Sequence, residues 1–469
     1  MPGCPALLPA LPRPSIIRAV SGLLLLCGLA LPAPGFSQET APPRITTEGE
    51  KEWSRKNNFP WTKALKASQP SGQEKDILIN GAKHFVDRLT NPDNASGLLK
   101  QIDPFITILY GPGTSTGARA IVHQAAIEHC RELLTVNPPF PEVVNTNLVI
   151  LLSKFIAAPG NTQKQTPPVP LVATIAPLQA VLNSEVLSLP PKIRAADALG
   201  TVALNAVPGV QGGDLSIREK DAIAADILKA LKSPSAKGKG VGPCWYRETL
   251  IEALGNCDLP LTLAGLSTPI DTLMDRLIDR QEDRQVRGAA ARAISQCKLN
   301  NTFNLHLIVH ETAIFHLQLA LDYNATPPAD RTGSFKWAAV YGYFAFKPQS
   351  DAEAKIRGWG FLTQVTTPAL APQAALVNSA YGVCVKIPQS LLSQTPPAAV
   401  PGADITALRN WITANPPASR KVTPKSPEIP DPVKRQALEL SAGPAAPKTP
   451  PKEKTAEGSA PMAARDIMP

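Results

Sequence analysis

Five Pro-Pro pairs set the grain of this chain between residues 74 and 414: Pro138-Pro139, Pro167-Pro168, Pro190-Pro191, Pro327-Pro328 and Pro396-Pro397. Proline lacks the amide that a helix needs and pushes its predecessor away from helical angles, so each pair marks the end of an element. Between the breaks the apolar residues keep a helical period. Tyr246, Leu250, Ala253 and Cys257 fall at i, i+4, i+7 and i+11, and Val286, Ala290, Ala293 and Cys297 repeat that spacing. Start signals agree. Ser71 with Glu74, Ser216 with Glu219 and Ser350 with Glu353 are spaced as capping boxes, and Thr268-Pro269 reads as an N-cap followed by a first-turn proline. Alternating Val/Ile/Thr runs are scarce, so the region reads as mostly α. With 43% hydrophobic residues in 469, a sizeable core can form and a wholly disordered chain is excluded.

The two ends differ from this middle. Residues 1–37 have the layout of a secretory signal: Arg13 and Arg18, an apolar run from Ala19 to Leu31, then small Gly35 and Ser37 at a cleavage site. That run is too short for a membrane anchor, and no later apolar stretch of 18 residues is free of charge, so the expectation is a secreted or periplasmic protein with no stable membrane span. Cys130, Cys244, Cys257, Cys297 and Cys384 then remain, with no C-x-x-C pair, which argues against a zinc knuckle, a thioredoxin-like site or a dense disulfide framework. Residues 38–73 are polar and broken by prolines and read as a linker. Residues 415–469 are rich in Pro, Lys and Ala and hold no aromatic residue, so they read as a disordered tail. The helical domain spans 74–414. Net charge is only +9 and the lysines are not interleaved with aromatics, which speaks against nucleic acid. The basic loop from Lys229 to Gly242 reads as a solvated connection between helices.

The segment from Tyr246 to Leu254 superimposes on the segment from Val286 to Ile294 at a shift of 40 residues, with Cys257 and Cys297 in register. A period near 40 belongs to helix-pair solenoids. Val286-Arg287-Gly288-Ala289-Ala290-Ala291 resembles the second helix of HEAT or armadillo-type repeats, which commonly begins with a Val-Arg pair and continues with small apolar residues. Ile193-Arg194 and Ile356-Arg357 look like looser copies. The intervals of 53 and 70 residues that separate them from Arg247 and Arg287 make the repeats irregular. The resemblance implies an irregular α-solenoid of HEAT-like helix pairs, with an irregular helical bundle as the alternative.

Three groups of residues carry candidate chemistry. Gly113-Thr114-Ser115-Thr116-Gly117 fits G-x-S-x-G, a nucleophile elbow, with Phe105 to Tyr110 as the strand such an elbow needs; the competing reading is a loop capping the next helix. His306, His310 and His316 lie within 11 residues. His306 and His310 share a helix face and are the metal candidates, although drawn on a helix they fall opposite the polar residues Asn304, Glu311, Gln318 and Asp322, where core histidines sit. No second histidine completes H-E-x-x-H. Between Phe335 and Phe361 stand eight of the 24 aromatic residues, and Trp337, Tyr341, Tyr343 and Trp359 are the candidate binding surface. No carboxylate pair stands out at a spacing that suggests glycoside chemistry. Three sequons, at Asn94, Asn300 and Asn324, matter only on a glycosylating route. The reading favoured is a non-catalytic exported scaffold without cofactor, binding a protein or an envelope polymer, and the alternative is a serine hydrolase using Ser115 with His306, His310 or His316.

Overall fold

The computed structural model describes residues 40–432, apart from 162, 164, 165, 351–353, 355, 356 and 393–397. The signal-like segment, the Pro396-Pro397 pair, Glu353 and Ile356 and the tail beyond 432 lie outside the described residues. The chain divides after Pro427 into two units, and every helix named below belongs to the first.

That unit is helical. It opens with α1 (Thr47–Lys66), α2 (Gly72–Asp87), α3 (Leu98–Tyr110), α4 (Thr116–Leu134) and α5 (Glu142–Ser153). A small antiparallel pair follows, β1 (Ile156–Ala158) with β2 (Val169–Pro170). Next come α6 (Ile175–Asn183), α7 (Leu189–Asn205), α8 (Ile217–Leu231), α9 (Pro234–Lys237), α10 (Val241–Asn256) and α11 (Thr268–Ile278). The remainder is α12 (Arg284–Gln296), α13 (Leu305–Ala325), α14 (Gly333–Phe346), α15 (Phe361–Gln364), α16 (Ala374–Cys384), α17 (Lys386–Leu392) and α18 (Gly402–Ala414).

The proline rule holds with informative exceptions. Pro138-Pro139, Pro167-Pro168 and Pro327-Pro328 separate elements, whereas Pro190-Pro191 occupies the first turn of α7, where the missing amide costs nothing. Pro60 lies inside α1 and Pro104 inside α3. The expected linker 38–73 is therefore largely helix, because Trp61 anchors it: the indole is 1% exposed, and a Cβ on Gly81 of α2 would lie 2.1 Å from its ring. Capping boxes form at Ser71/Glu74 and Ser216/Glu219. At α11 the N-cap is Ser267, one residue before the Thr268 that the sequence pointed to.

The central helices lie in two rows. In one, α7, α10, α12 and α14 are neighbours in that order; in the other, α6, α8, α11 and α13. Each helix of the second row packs on one of the first, giving the pairs α6/α7, α8/α10, α11/α12 and α13/α14. The first row is tightly spaced. A Cβ on Gly255 of α10 would come within 2.8 Å of Ala293 Cα on α12, and one on Gly200 of α7 within 2.8 Å of Ala253 Cα. The two arginines in repeat register do the same job. Arg247 Nη1 donates to Ala236 O and Gly238 O at the end of α9, and Arg287 Nε donates to Leu277 O near the end of α11, so each second helix satisfies terminal carbonyls of the element before it. Cys257 and Cys297, also in register, each point Sγ to the carbonyl four residues back at 3.4 Å. Arg194 on α7 makes no such bond among the described residues, and Arg357 lies beyond α14, so these two looser copies do not extend the pattern.

The tail boundary moves. Residues 415–427 return across α13: Asn304 N donates to Val422 O at 2.8 Å, and Ser426 Oγ donates to Asp271 Oδ1 at 2.6 Å. Arg420 Nη2 reaches Glu311 Oε1 at 2.6 Å. Composition alone hid this, because the segment is held mainly by polar bonds to helix residues, with Val422 as its one buried aliphatic side chain.

Candidate functional site

Ser115 is a cap. Its N–H donates to Leu65 O at 2.8 Å, its Oγ accepts from Ala118 N at 3.1 Å, and its hydroxyl donates to Ala67 O at 2.5 Å. The element before it is helix α3, not a strand, and no histidine is among its hydrogen-bond partners. Gly117 serves packing as well, since a Cβ there would sit 2.7 Å from Ser68 O. The motif thus joins the start of α4 to the end of α1.

The three clustered histidines hold α13 in place. His306 Nε2 lies 3.0 Å from Asn415 O and His310 Nε2 lies 3.2 Å from Ile412 O, both at the end of α18. His316 Nδ1 bonds Thr312 O at 2.8 Å within its own helix, while its Nε2 is buried without a partner against Gly342. Burial pushes His316 down to about 4, so it is neutral. The Glu311 face expected to meet solvent is also covered, with Glu311 2% exposed and paired with Arg420. Among the described residues no group of three His, Cys, Asp or Glu is placed to hold a metal ion. The other three histidines are equally structural: His84 stacks on Trp53 at 3.9 Å, His123 Nε2 meets Tyr110 Oη at 2.8 Å, and His129 bridges Asp87 and Glu132.

The four aromatic candidates do not form one surface. Trp359 is 5% exposed under the Arg357 guanidinium, and Tyr341 is 8% exposed, so these two are core residues. Tyr343 is half-buried and interacts with Tyr381. Only Trp337, half-buried, accompanies Tyr341, with ring centroids 6.4 Å apart.

Around that pair the structure assembles a site that no sequence motif announced. Tyr341 Oη donates to Glu248 Oε1 at 2.8 Å, linking α14 to α10 across 93 residues. One turn along α10, Glu252 pairs with Arg292 of α12 at 3.2 Å. The Arg292 guanidinium lies 5.9 Å and 5.8 Å from the ring centres of Tyr341 and Phe344. Burial raises Glu248 to about 8, reinforced by the charge of Glu252 and opposed by the Tyr341 bond, so its carboxyl is protonated at neutral pH. Burial first, and then the two glutamates, hold the Tyr341 phenol well above its usual range. The Cys244 thiol alongside is pushed up to about 12 by burial and by Asp283 and Glu248, which makes it a poor nucleophile. Glu248, Glu252, Arg292 and Trp337 are all half-buried, so each keeps part of its surface open to solvent. The spacing of Glu248 and Glu252 by four was visible in the sequence. Its meaning was not, because the residue that makes it a site is a tyrosine four helices away.

Among the described residues no helix is long and apolar enough to cross a membrane. No family model, curated protein or solved structure matches the chain.

Proposed function

We propose that the chain is an exported, non-catalytic binding protein: an irregular α-solenoid of HEAT-like helix pairs that holds a protein or envelope polymer on its α7–α10–α12–α14 row. The observation that carries this reading is the repeated role of Arg247 and Arg287, forty residues apart, each tying the end of the preceding element to a first-row helix. Stacked pairs of this kind present an extended surface, and here the surface holds Glu248, Glu252, Arg292 and Trp337. Export rests on the layout of residues 1–37.

The test is affinity capture from the envelope fraction of the source cells, with the full chain beside Trp337→Ala and Glu248→Gln variants of unchanged helicity. A component retained by the full chain and lost by either variant supports the reading. Retention that ignores both variants moves binding off this row and overturns it. Stoichiometric fluorophosphonate labelling that disappears in Ser115→Ala overturns the non-catalytic part.

A further inference from the structure

The second row has an open seam of its own. On α8, Ile217, Asp221, Ala225, Leu228 and Lys232 follow one another at helical spacing along one face. Beside that face lies a cleft of about 350 Å³, floored by Ala224, Ala225 and Leu228 and walled on the far side by Thr262 and Thr268 at the start of α11. Its apolar end is built to stay exposed. The loop before α11 is held by Thr262 N to Leu266 O at 2.9 Å, by Gly265 N to Thr262 O at 2.8 Å and by Leu263 N to Asp221 Oδ1 at 3.1 Å. Gly265 takes φ +72°, a conformation that glycine adopts without strain. This ordered loop presents Leu263 and Leu266 at 53% and 56% exposure, and Ile217, one turn before Asp221 on α8, is 52% exposed. Aliphatic side chains held exposed by an ordered loop beside a cleft offer apolar area that a partner can cover.

The other end is basic. Lys229 and Lys232 line the cleft, and Lys237 and Lys239 follow on α9 and its loop; all four are exposed and none has an ion-pair partner among the described residues. Asp221 is already engaged with Leu263 N. Past Lys232, Asp275 and Asp279 line a second recess, while Arg276 beside them is committed to Glu282. A long acidic run would meet those aspartates. A short one would stop at the lysines.

We propose that the α8–α11 cleft docks a segment of a partner protein in which two aliphatic residues are followed within a few positions by one or two carboxylates. From Ile217 to Leu231 the helix rises about 21 Å, the length of six or seven extended residues. The aliphatic side chains cover Ala225 and Leu228 beside Leu263 and Leu266, and the carboxylates meet Lys229 and Lys232. This surface is separate from the Glu248 row and stands whether or not that row binds anything.

The experiment uses the full chain and a fluorescein-labelled ten-residue probe carrying two leucines followed by two glutamates, read by fluorescence anisotropy. The expected result is saturable binding that weakens at least tenfold when the glutamates become glutamines, and likewise when the leucines become serines. Binding should also weaken tenfold or more in a Lys229→Glu/Lys232→Glu chain and in an Ala225→Trp chain, both with unchanged circular dichroism. An eight-glutamate probe without leucines should bind more weakly than the first. No saturable binding up to millimolar chain overturns the proposal. So does equal binding of the leucine-free probe, or retention of affinity in both chain variants.

Discussion

Helices α12 and α13 are both buried on nearly every side, yet they reach that state by opposite routes. In α12 the buried residues are mostly small, Val286, Gly288, Ala289, Ala290, Ala291 and Ala293 among them, and its neighbours come close enough for backbone to touch side chain. In α13 they are large or titratable, Phe315, Tyr323, His310, Glu311 and His316, and each polar group has to find its own partner or go without one. Small residues set a spacing that a whole array can repeat. Large polar ones fix a single local arrangement, and that arrangement depends on protonation.

Acid should separate the two most strongly. His84, His123 and His316 each sit near 4 in the folded chain against 6.5 in the open one, with burial the first cause in every case. A depressed histidine contributes stability above pH 6.5 and loses it as pH falls toward 4, at a cost of about 2 kcal/mol per histidine by pH 5. Hydrogen exchange at pH 5 should therefore show α13, which carries both His310 and His316, opening before α12, and His316→Gln should remove about 2 kcal/mol of the acid loss. On α4, His129 is held above its usual range, against its burial, by Asp87 and Glu132 and so works against His123. Equal protection of α12 and α13 at pH 5 would erase the contrast.

The close spacing gives the next largest effect. Gly255→Val should cost about 3 kcal/mol in urea unfolding, because its side chain is driven into Ala293 Cα and Cβ at 2.8 Å and Gln296 Oε1 at 2.4 Å for the first carbon alone. Adding Ala293→Gly should recover part of that loss. A neutral Gly255→Val variant would mean that the row is not set by small residues.

Glu248 supplies the smallest shift, with the opposite sign from the histidines. Its folded value near 8 lies above the ordinary 4.5, so stability is full below 4.5 and is lost as pH rises through 8. Glu248→Gln should flatten the melting temperature between about pH 6.5 and 9, where the parent chain gives up on the order of 2 kcal/mol. Parallel curves for the two chains would remove the protonated carboxyl from the description.

The residues that could be read in advance divide along the same line. The helical class, two of the capping boxes and the α10/α12 register were legible, because periodicity and small-residue patterns act locally. Where Ser115 caps, what His306 faces and how residues 415–427 attach depend on carbonyls of α1 and α18 and on polar groups of α13, which no spacing encodes. Trp61, seated against Gly81 and Phe85, and Trp53, stacked on His84, anchor a polar stretch on α2 as helix α1. Glu248 and Tyr341 became a site only because the first row sets α10 and α14 on either side of α12, close enough for one side-chain bond to span them. Aromatic density misled for a related reason: Tyr341 and Trp359 are large enough to be core, and only the packing decides.

Arg357 gives the array a mechanical property. From beyond α14 it donates to Leu204 O at 2.6 Å and to Asn205 Oδ1 at 3.1 Å at the end of α7, while Gly360 N holds Ser295 O near the end of α12 at 3.1 Å. Helix pairs stacked only on their neighbours stretch as springs in series, each interface yielding in turn. A chain segment anchored at α7 and α12 lies in parallel with those springs, so tension between these two helices is shared by the strap and by the contacts of α10 with its neighbours.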